Sequence, residues 1–410
     1  MINLQRYVML FEGGAGGHMA HPIDYTDFTG EQLIELVDNL FSGKVETMKE
    51  KLDGMNINAS MNDKGEVVFI RNNSERNLPE GGMSIKDMET KWEGKDHQLK
   101  VYIQSGKIIE QIFGKLPIKY FNPKPGVRKI INCECIIEGK TNVMPYAKDR
   151  VAFHGYKLYE LTDKLDKNNN KSWVEIDEVE GDVDEIYKAA EGIDAAKPRP
   201  NLVIKSIEDG QKFVKQFTKS IDTLFNNEGL TLNNTIEEWK FKRFESIKPE
   251  WMNEYVKEIF NRWFNNDKSF KVAEFKKVYP DHYEDVKGEK FCKSYISEVM
   301  KPLDNLFLAI GNELIDLLDG FTNKDSHNKV IDTLKHDMEE TIALVNQSGS
   351  TEIQDKVEKN LNRLQALGDK YNSAEGVVFM YKGRLMKMTG SFAVVNQILG
   401  TRFDVERLQK

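Results

Sequence analysis

The stretch 46-ETMKEKLDGMNINAS-60 sets Glu50, Lys51 and Asp53 around a glycine, at the start of an alternating run. That run, MNINASMNDKGEVVFIRN (55–72), has two β-like halves separated by Asn-Asp-Lys-Gly, which predicts a hairpin. Two interpretations fit this short stretch. It is either a surface turn or the segment that holds a nucleophilic lysine. Segments further along the chain distinguish these two interpretations.

Segments on both sides of the hairpin have helix or strand patterns. In DFTGEQLIELVDNLFSG, Thr29 is a suitable N-cap and Gln32 stands at the capping-box position. The patterned segments are 27–43 and 104–115 as helices, and 128–139, 150–161 and both halves of EGVVFMYKGRLMKMTG (375–390) as strands.

The middle of the chain has a different character. After the polar stretch KLDKNNNKSW (164–173), nearly every segment from 206 to about 370 has helical spacing and few Gly or Pro residues. The sequence therefore predicts an α+β fold. Residues 1–165 and 371–410 would form one domain of antiparallel sheets and helices, interrupted by a mostly helical insertion at 166–370.

Composition excludes several classes of protein. The chain has 58 Lys and Arg against 66 Asp and Glu, so any surface that binds nucleic acid must be local. No apolar run approaches the roughly 18–20 residues that span a bilayer, and no signal peptide is predicted. Three cysteines without a Cys-x-x-Cys pair argue against a zinc ribbon and favour a reducing cytoplasm. EGGAGGHMAHP (12–22) lacks the Gly-Lys-Ser/Thr of a P-loop.

Candidate catalytic and ligand-binding residues follow Lys51 in order along strand-like segments. They are Arg71 in FIRN, Glu134 in NCECII, Phe153 in RVAFHGY, Glu375 in EGVVF and Lys387 in RLMKM. With EKLDGMN, this order resembles the motifs of the covalent nucleotidyltransferases, which comprise DNA ligases, RNA ligases and mRNA capping enzymes. The longer form K-x-D-G-x-N is most similar to RNA ligases, especially those of large tailed bacteriophages. The resemblance covers about residues 1–160 and 371–410.

The resemblance implies that this is a ligase-type nucleotidyltransferase domain using ATP. Lys51 would form a lysyl-AMP, Lys387 would stabilise the α-phosphate, and Glu375 would bind the catalytic Mg²⁺ or Mn²⁺. Glu134 would lie near the ribose. The residues that the resemblance assigns to nucleotide binding are Glu50, Asp53, Gly54, Asn56, Arg71, Glu134, Phe153, Glu375 and Lys387, with Arg71 near the ribose or an incoming strand end and Phe153 stacked on the purine.

The last motif departs from the family pattern. The family usually has K-x-K, whereas Leu385 and Thr389 flank Lys387 in this chain. Arg384 or Lys382 are the candidates for the task of the second lysine.

The chemistry of a lysine nucleophile and of Mg²⁺ agrees with the roles given to Lys51 and Glu375. A lysine nucleophile must be neutral, and burial or nearby cations lower its ordinary pKa of about 10.4. Mg²⁺ prefers carboxylate and phosphate oxygens, which suits Glu375. The period of a strand predicts that Lys51 and Asp53 share a face, and Gly54 would let the backbone approach a nucleotide.

Glu134 lies in a strongly apolar strand. Cys133 and Cys135 would share one face of that strand and Glu134 the other. A glutamate at such a position is costly unless it is paired or lines a wet cleft. A buried Glu–Arg pair and a cleft wall are the two alternatives, and the accompanying motifs favour the cleft.

The helical region contains a small group of cations between aromatic residues. The cations are Lys240, Lys242, Arg243 and Lys248 in EEWKFKRFESIK (237–248). Such a mixture suits RNA contact, although aromatic residues at helical spacing more often belong to a core.

With the resemblance, these observations predict an ATP-dependent RNA ligase that joins 5′-phosphate and 3′-hydroxyl ends in the cytoplasm, which is that of a bacterial host if a phage encodes the protein. Three alternatives remain open. A DNA ligase would use the same core, a capping-type enzyme would use GTP, and an inactive ligase-fold protein would serve as a binding or structural component of a phage.

Overall fold

The computed structural model describes residues 19–140, 144–166, 168–180, 183–248, 288–368 and 371–408. The glycine-rich residues 12–18 and the segment 249–287 lie outside these ranges. The strands are β1 (Thr47–Lys51), β2 (Met55–Met61), β3 (Val67–Ile70), β4 (Val127–Ile136), β5 (Gly139–Lys140), β6 (Pro145–Tyr146), β7 (Arg150–Leu165), β8 (Lys171–Glu180), β9 (Val203–Ile204), β10 (Leu318–Asp319), β11 (Gly376–Tyr381) and β12 (Arg384–Thr389).

The helices alternate with these strands in the first half of the chain and dominate the second. They are α1 (Gly30–Phe41), α2 (Asn73–Arg76), α3 (Ile85–Lys91), α4 (Asp96–Phe113), α5 (Ile118–Phe121), α6 (Asp184–Ala189), α7 (Ile207–Asn227), α8 (Ile236–Ile247), α9 (Gly288–Leu317), α10 (His327–Gln347), α11 (Thr351–Ala366) and α12 (Phe392–Leu408). Across the described ranges, none of these helices has both the length and the apolar content needed to cross a membrane.

Two antiparallel sheets form the framework, which confirms the predicted α+β class. The larger sheet has the strand order β3-β2-β4-β7-β8, and the smaller has the order β1-β11-β12. The predicted hairpins β2–β3 and β11–β12 are both present. In the second, Lys382 and Gly383 adopt left-handed backbone conformations, as a two-residue turn between twisted strands requires.

The larger sheet is apolar on one face and polar on the other. The apolar face packs against α3 to α6 and includes Ile57, Phe69, Ile131, Cys133, Cys135 and Val151. The opposite positions of β2, β4 and β7 carry Asn56, Asn58, Asn132, Glu134 and His154, which we call the polar face. The predicted separation of Glu134 from Cys133 and Cys135 is therefore present.

The smaller sheet also has two distinct faces. Met48, Val377, Phe379, Met386 and Met388 share a core with residues of α1, α7, α8 and α9. The opposite positions carry Lys49, Lys51, Gly376, Val378, Lys387 and Thr389, which we call the lysine face. Helices α7 to α9 thus pack directly on this sheet and on α1.

Helices α10 to α12 form a third core with residues near the junction of the sheets. Val357 and Ile398 belong to it, as do Leu52, Ile136 and Tyr146. The helical part of the chain is therefore packed against the sheets that carry the site.

Local predictions are confirmed in detail at α1 and wrong at β8. At α1 the Thr29 hydroxyl accepts from Gln32 N at 3.2 Å, and Gln32 Oε1 accepts from Thr29 N at 2.9 Å. The stretch 164–173 was predicted to be a loop, but Lys171 already begins β8. Because β8 is an edge strand that pairs only with β7, its many charged residues do not oppose strand formation.

The chain passes from one sheet to the other within the stretch Leu52–Gly54. Lys51 is the last residue of β1, and Met55 is the first of β2. A Cβ atom on Gly54 would lie 2.8 Å from the Cys135 carbonyl oxygen and 2.9 Å from Glu134 Cγ. Glycine is required at this crossing because β4 leaves no room for a side chain.

We predict that Gly54→Ala lowers the free energy of unfolding by about 1–3 kcal/mol, because the extra methyl group displaces β4. The matched control is Gly400→Ala in α12, where a Cβ meets nothing within 4 Å. That substitution should stabilise the helix by about 1 kcal/mol. Urea unfolding of both variants tests the prediction, and equal stabilities would contradict it.

Candidate active site

Lys51 lies where the two sheets meet, and its partner is Glu375. Lys51 pairs across β1 and β11 with Gly376, so Glu375 immediately precedes the residue opposite the lysine. The Lys51 ammonium donates to Glu375 Oε1, and the two side chains are only 23% and 12% exposed. A buried ion pair therefore joins the end of β1, early in the chain, to the residue that precedes β11, late in the chain.

The surroundings of this pair hold the lysine in its charged form. Burial alone would lower the pKa of Lys51, but Glu375, Glu134 and Asp53 together raise it above its ordinary value. Burial raises the pKa of Glu375 to about 7, although Lys51 opposes this shift. In this state Lys51 is an ammonium ion, and it must lose a proton before its nitrogen can act as a nucleophile.

Asp53 is held at the sheet crossing by one side-chain hydroxyl and one backbone amide. Its amide donates to the Tyr146 hydroxyl at 2.7 Å, and its Oδ2 accepts from Met144 N at 2.5 Å. The prediction that strand period places Asp53 beside Lys51 does not apply, because β1 ends at Lys51. The carboxylate nevertheless acts electrostatically on the lysine.

Glu134 and Asn56 lie opposite each other on the polar face. Glu134 Oε1 accepts from Gly54 N at 3.0 Å, and its Oε2 lies 3.8 Å from His154 Nε2. Asn56 Nδ2 donates to Asn132 Oδ1 at 2.5 Å. These contacts give the Glu134 carboxylate a backbone donor and a histidine neighbour, and its predicted place in the wall of a cleft stays a prediction.

Arg199 and His154 complete the site, and sequence reasoning did not identify either. Arg199 Nη1 donates to the Glu50 carbonyl at 2.5 Å, and its Nη2 lies 3.0 Å from His154 Nδ1. A guanidinium can only donate, so Nδ1 must accept, and the proton of the neutral ring lies on Nε2. That proton faces Glu134. Arg199 follows Pro198 in a connecting segment, where no spacing rule could have indicated it.

Phe153 does not fit its predicted stacking role. Its ring is 2% exposed and lies in the core with Phe113 and Tyr187, at centroid distances of 6.2 and 5.6 Å. The register pairs Phe153 with Cys133, which puts its ring on the apolar face. The pairing register of β4 and β7 shifts at this point, and the next residue, His154, lies on the polar face.

The contacts shown for Arg71 and Glu50 are with groups other than Lys51. Arg71 follows β3 and hydrogen-bonds to Tyr102 of α4, on the side of the sheet covered by helices. Glu50 precedes Lys51 and points to the opposite face of β1, where its Oε2 accepts from Thr322 N at 2.7 Å. Their predicted contacts with a nucleotide have no support from these positions.

Lys387 lies on the lysine face, one row from Lys51. It stands two residues before Thr389, which aligns with Gly376 and Lys51 across the sheet. The candidates for the second lysine are engaged elsewhere. Arg384 forms two hydrogen bonds with Asp27, at 2.8 and 3.1 Å, and Lys382 contacts Glu35 at 2.8 Å.

Of the carboxylates around Lys51, Glu375 is the one that suits a divalent cation. Glu375 Oε2 is buried and has no hydrogen-bond partner among the described residues, so this oxygen is available as a metal ligand. Within the described ranges, no three His, Cys, Asp or Glu side chains cluster as a complete metal site. This donor set fits Mg²⁺, which binds through one or two carboxylates together with waters and phosphate oxygens.

The cations of α8 do not form an open basic patch. Lys240 is half-buried and donates to the Ile23 carbonyl at 3.5 Å, and desolvation lowers its pKa. The contacts of the others are Lys242 with Glu245 Oε2 at 2.9 Å, Arg243 with Glu228 at 2.9 Å, and Lys248 with the Glu245 carbonyl at 2.9 Å. Trp239 and Phe244 are fully buried, so these two aromatic residues belong to the core.

We predict that Lys51→Ala costs more stability as the pH rises. Without its counter-charge, Glu375 titrates above its present pKa of about 7. The folded state then binds more protons than the unfolded state, so stability falls with increasing pH. Breaking the pair should cost about 3 kcal/mol or more at pH 8.5 and less at pH 6.

Urea unfolding in the presence of a chelator measures this difference. The double variant Lys51→Ala with Glu375→Gln is the control, because it removes both charges of the pair and should lose the added pH dependence. An equal cost of Lys51→Ala at both pH values would contradict the description of the pair.

We predict that Arg199→Met raises the pKa of His154 and lowers the unfolding free energy by about 1–3 kcal/mol. Burial lowers the pKa of His154, and the charge of Arg199 lowers it further. NMR titration of labelled histidine rings measures the first effect. Arg402→Met is the control, since Arg402 is 45% exposed and its ion pairs with described residues are surface contacts of 3.8 Å. An unchanged pKa of His154 would contradict the contact between Arg199 and His154.

Comparison with protein-family models, with curated proteins and with solved structures gave no match for this chain. The likeness to the nucleotidyltransferases therefore stays a prediction from the motifs.

Proposed function

We propose that this protein is an ATP-dependent RNA ligase that seals 5′-phosphate and 3′-hydroxyl ends through Lys51. The observation that carries the proposal is the buried Lys51–Glu375 pair at the junction of the two sheets. It unites a candidate nucleophile with a carboxylate that has a free buried oxygen. Glu134 and Asn56 border the same junction and supply polar groups for a ribose.

The first step would transfer AMP from ATP to the protein. The lone pair of neutral Lys51 forms a bond to the α-phosphorus, and the bond to the bridging oxygen breaks, so that pyrophosphate leaves with its electron pair. The amine loses a proton and a lysyl phosphoramidate remains. Lys387 and a bound Mg²⁺ would offset the negative charge that develops on the phosphate oxygens.

The ion pair makes the first step dependent on Glu375. While this carboxylate faces the ammonium group, it keeps the pKa of Lys51 high. Lys51 therefore becomes nucleophilic only when Glu375 takes another partner. The free Oε2 atom indicates that this carboxylate can do so, and a divalent cation is the partner that its chemistry suits.

The second and third steps would use the nucleic acid. An oxygen of the 5′-phosphate attacks the lysyl-AMP phosphorus, and the P–N bond breaks with return of a proton to Lys51. The 3′-hydroxyl then attacks the activated 5′-phosphate and releases AMP. We place this activity in the cytoplasm of a bacterial host, consistent with the buried free thiols of Cys133 and Cys135.

We predict that the protein incubated with α-labelled ATP and Mg²⁺ retains the label after denaturation, because the AMP is held by a covalent bond. Lys51→Ala should remove the label completely. Glu375→Gln should reduce labelling by at least 100-fold, on the order of the loss of one charge-stabilising group. Lys64→Ala is the matched control, since Lys64 lies in an exposed turn and pairs with Glu80.

The same assay separates the alternatives. Labelling by GTP instead of ATP would indicate a capping-type enzyme. A label that passes to nicked DNA but not to RNA ends would indicate a DNA ligase. No label from either nucleotide would contradict the proposal and favour an inactive ligase fold.

A further inference from the structure

Lys49 is a half-buried lysine on the lysine face that the motifs did not single out. It stands two residues before Lys51 on β1, about 7 Å away along the strand and on the same face. Across the sheet it aligns with Val378 and Lys387, which gives the row Lys49–Val378–Lys387. The adjacent row is Lys51–Gly376–Thr389.

We propose that Lys49 and Lys387 form a binding site for the outer phosphates of a nucleoside triphosphate, with Lys49 taking the place of the missing second lysine. This inference rests on the proposed function, because it takes Lys51 as the group that meets the α-phosphate. The ligand class is a polyphosphate, either the β- and γ-phosphates of the nucleotide or the pyrophosphate that leaves.

The electrostatic setting of Lys49 supports an anionic ligand. Within the part of the chain that the structure describes, no carboxylate lies within ion-pair distance of its ammonium group, and the buried cation Arg199 acts on it repulsively. Burial lowers the pKa of Lys49 and Arg199 lowers it further, while the smaller effect of Asp184 opposes them. A half-buried cation next to another cation is unfavourable unless an anion compensates for both.

The alignment of the two rows supports a polyphosphate in particular. Only glycine fits beside Lys51, because a Cβ on Gly376 would lie 2.1 Å from the Met388 carbonyl oxygen, so no side chain of β11 stands between Lys51 and Thr389. In the second row Val378 lies between two lysines, whose Cα atoms are about 10 Å apart, the width of two strand spacings. Since the two rows are about 7 Å apart along the strands, a chain of phosphates that begins at Lys51 would come within reach of both ammonium groups.

The experiment is calorimetric titration of the full chain with Mg²⁺ and three probes. They are AMP, inorganic tripolyphosphate, and an ATP analogue whose α,β-bridge is a methylene group and cannot release pyrophosphate. We predict that Lys49→Met weakens binding of the analogue and of tripolyphosphate about tenfold each, or about 1.4 kcal/mol. AMP binding should stay within twofold of the wild type, and Lys49→Arg should keep most of the affinity.

Lys44→Met is the matched control, because Lys44 lies five residues earlier in the chain and is exposed. Thermal melts establish that each variant is folded, and Lys49→Gln replaces Lys49→Met if that variant is not. Unchanged affinity for the analogue, or equal losses for AMP and the analogue, would overturn the assignment.

The outcome is separable from that of the proposed function. Loss of polyphosphate binding in Lys49→Met, in a protein that never becomes labelled by ATP, would support the phosphate site and contradict the ligase. Absence of binding of all three probes to the wild type would contradict both.

Discussion

The crossing from β1 to β2 at Leu52–Gly54 is the constraint on which the rest of the site depends. It places Lys51 at the end of one sheet and Asn56 near the start of the other. The hydrogen bonds of Asp53 with Tyr146 and Met144, and that of Gly54 N with Glu134, fix the path of the chain. The distance between the candidate nucleophile and the polar face is therefore set by the backbone rather than by flexible side chains.

This arrangement gathers charges that would be costly if they were buried singly. Glu134, Glu375 and Asp53 surround Lys51, and Arg199 links the Glu50 carbonyl to Glu134 through His154. Burial acts on Lys51, Glu375, Glu134, His154 and Arg199 alike, so each keeps or loses its charge according to its neighbours. Because any change of one charge shifts the others, binding of a nucleotide and a cation would redistribute protons within the site.

Sequence reasoning identified the framework and part of the site. The hairpins, α1 and the alternation around Glu134 follow from local periods and turn residues, which a single sequence displays. It correctly placed Lys51, Glu134 and Glu375 in one region, because the order of motifs carried information about distant strands. It failed for Phe153, where a one-residue shift in register exchanges the two faces of a strand. Arg199 and Lys49 depend on tertiary contacts and on alignment of three strands, which no local pattern reveals.

The most direct test of the central claim is to locate the modified residue. After incubation with ATP and Mg²⁺, peptide mapping by mass spectrometry should find AMP on the Lys51 amine, through a bond that acid cleaves and base does not. AMP on any other residue, or unmodified Lys51 in a folded protein supplied with both ligands, would contradict the assignment of Lys51 as the nucleophile.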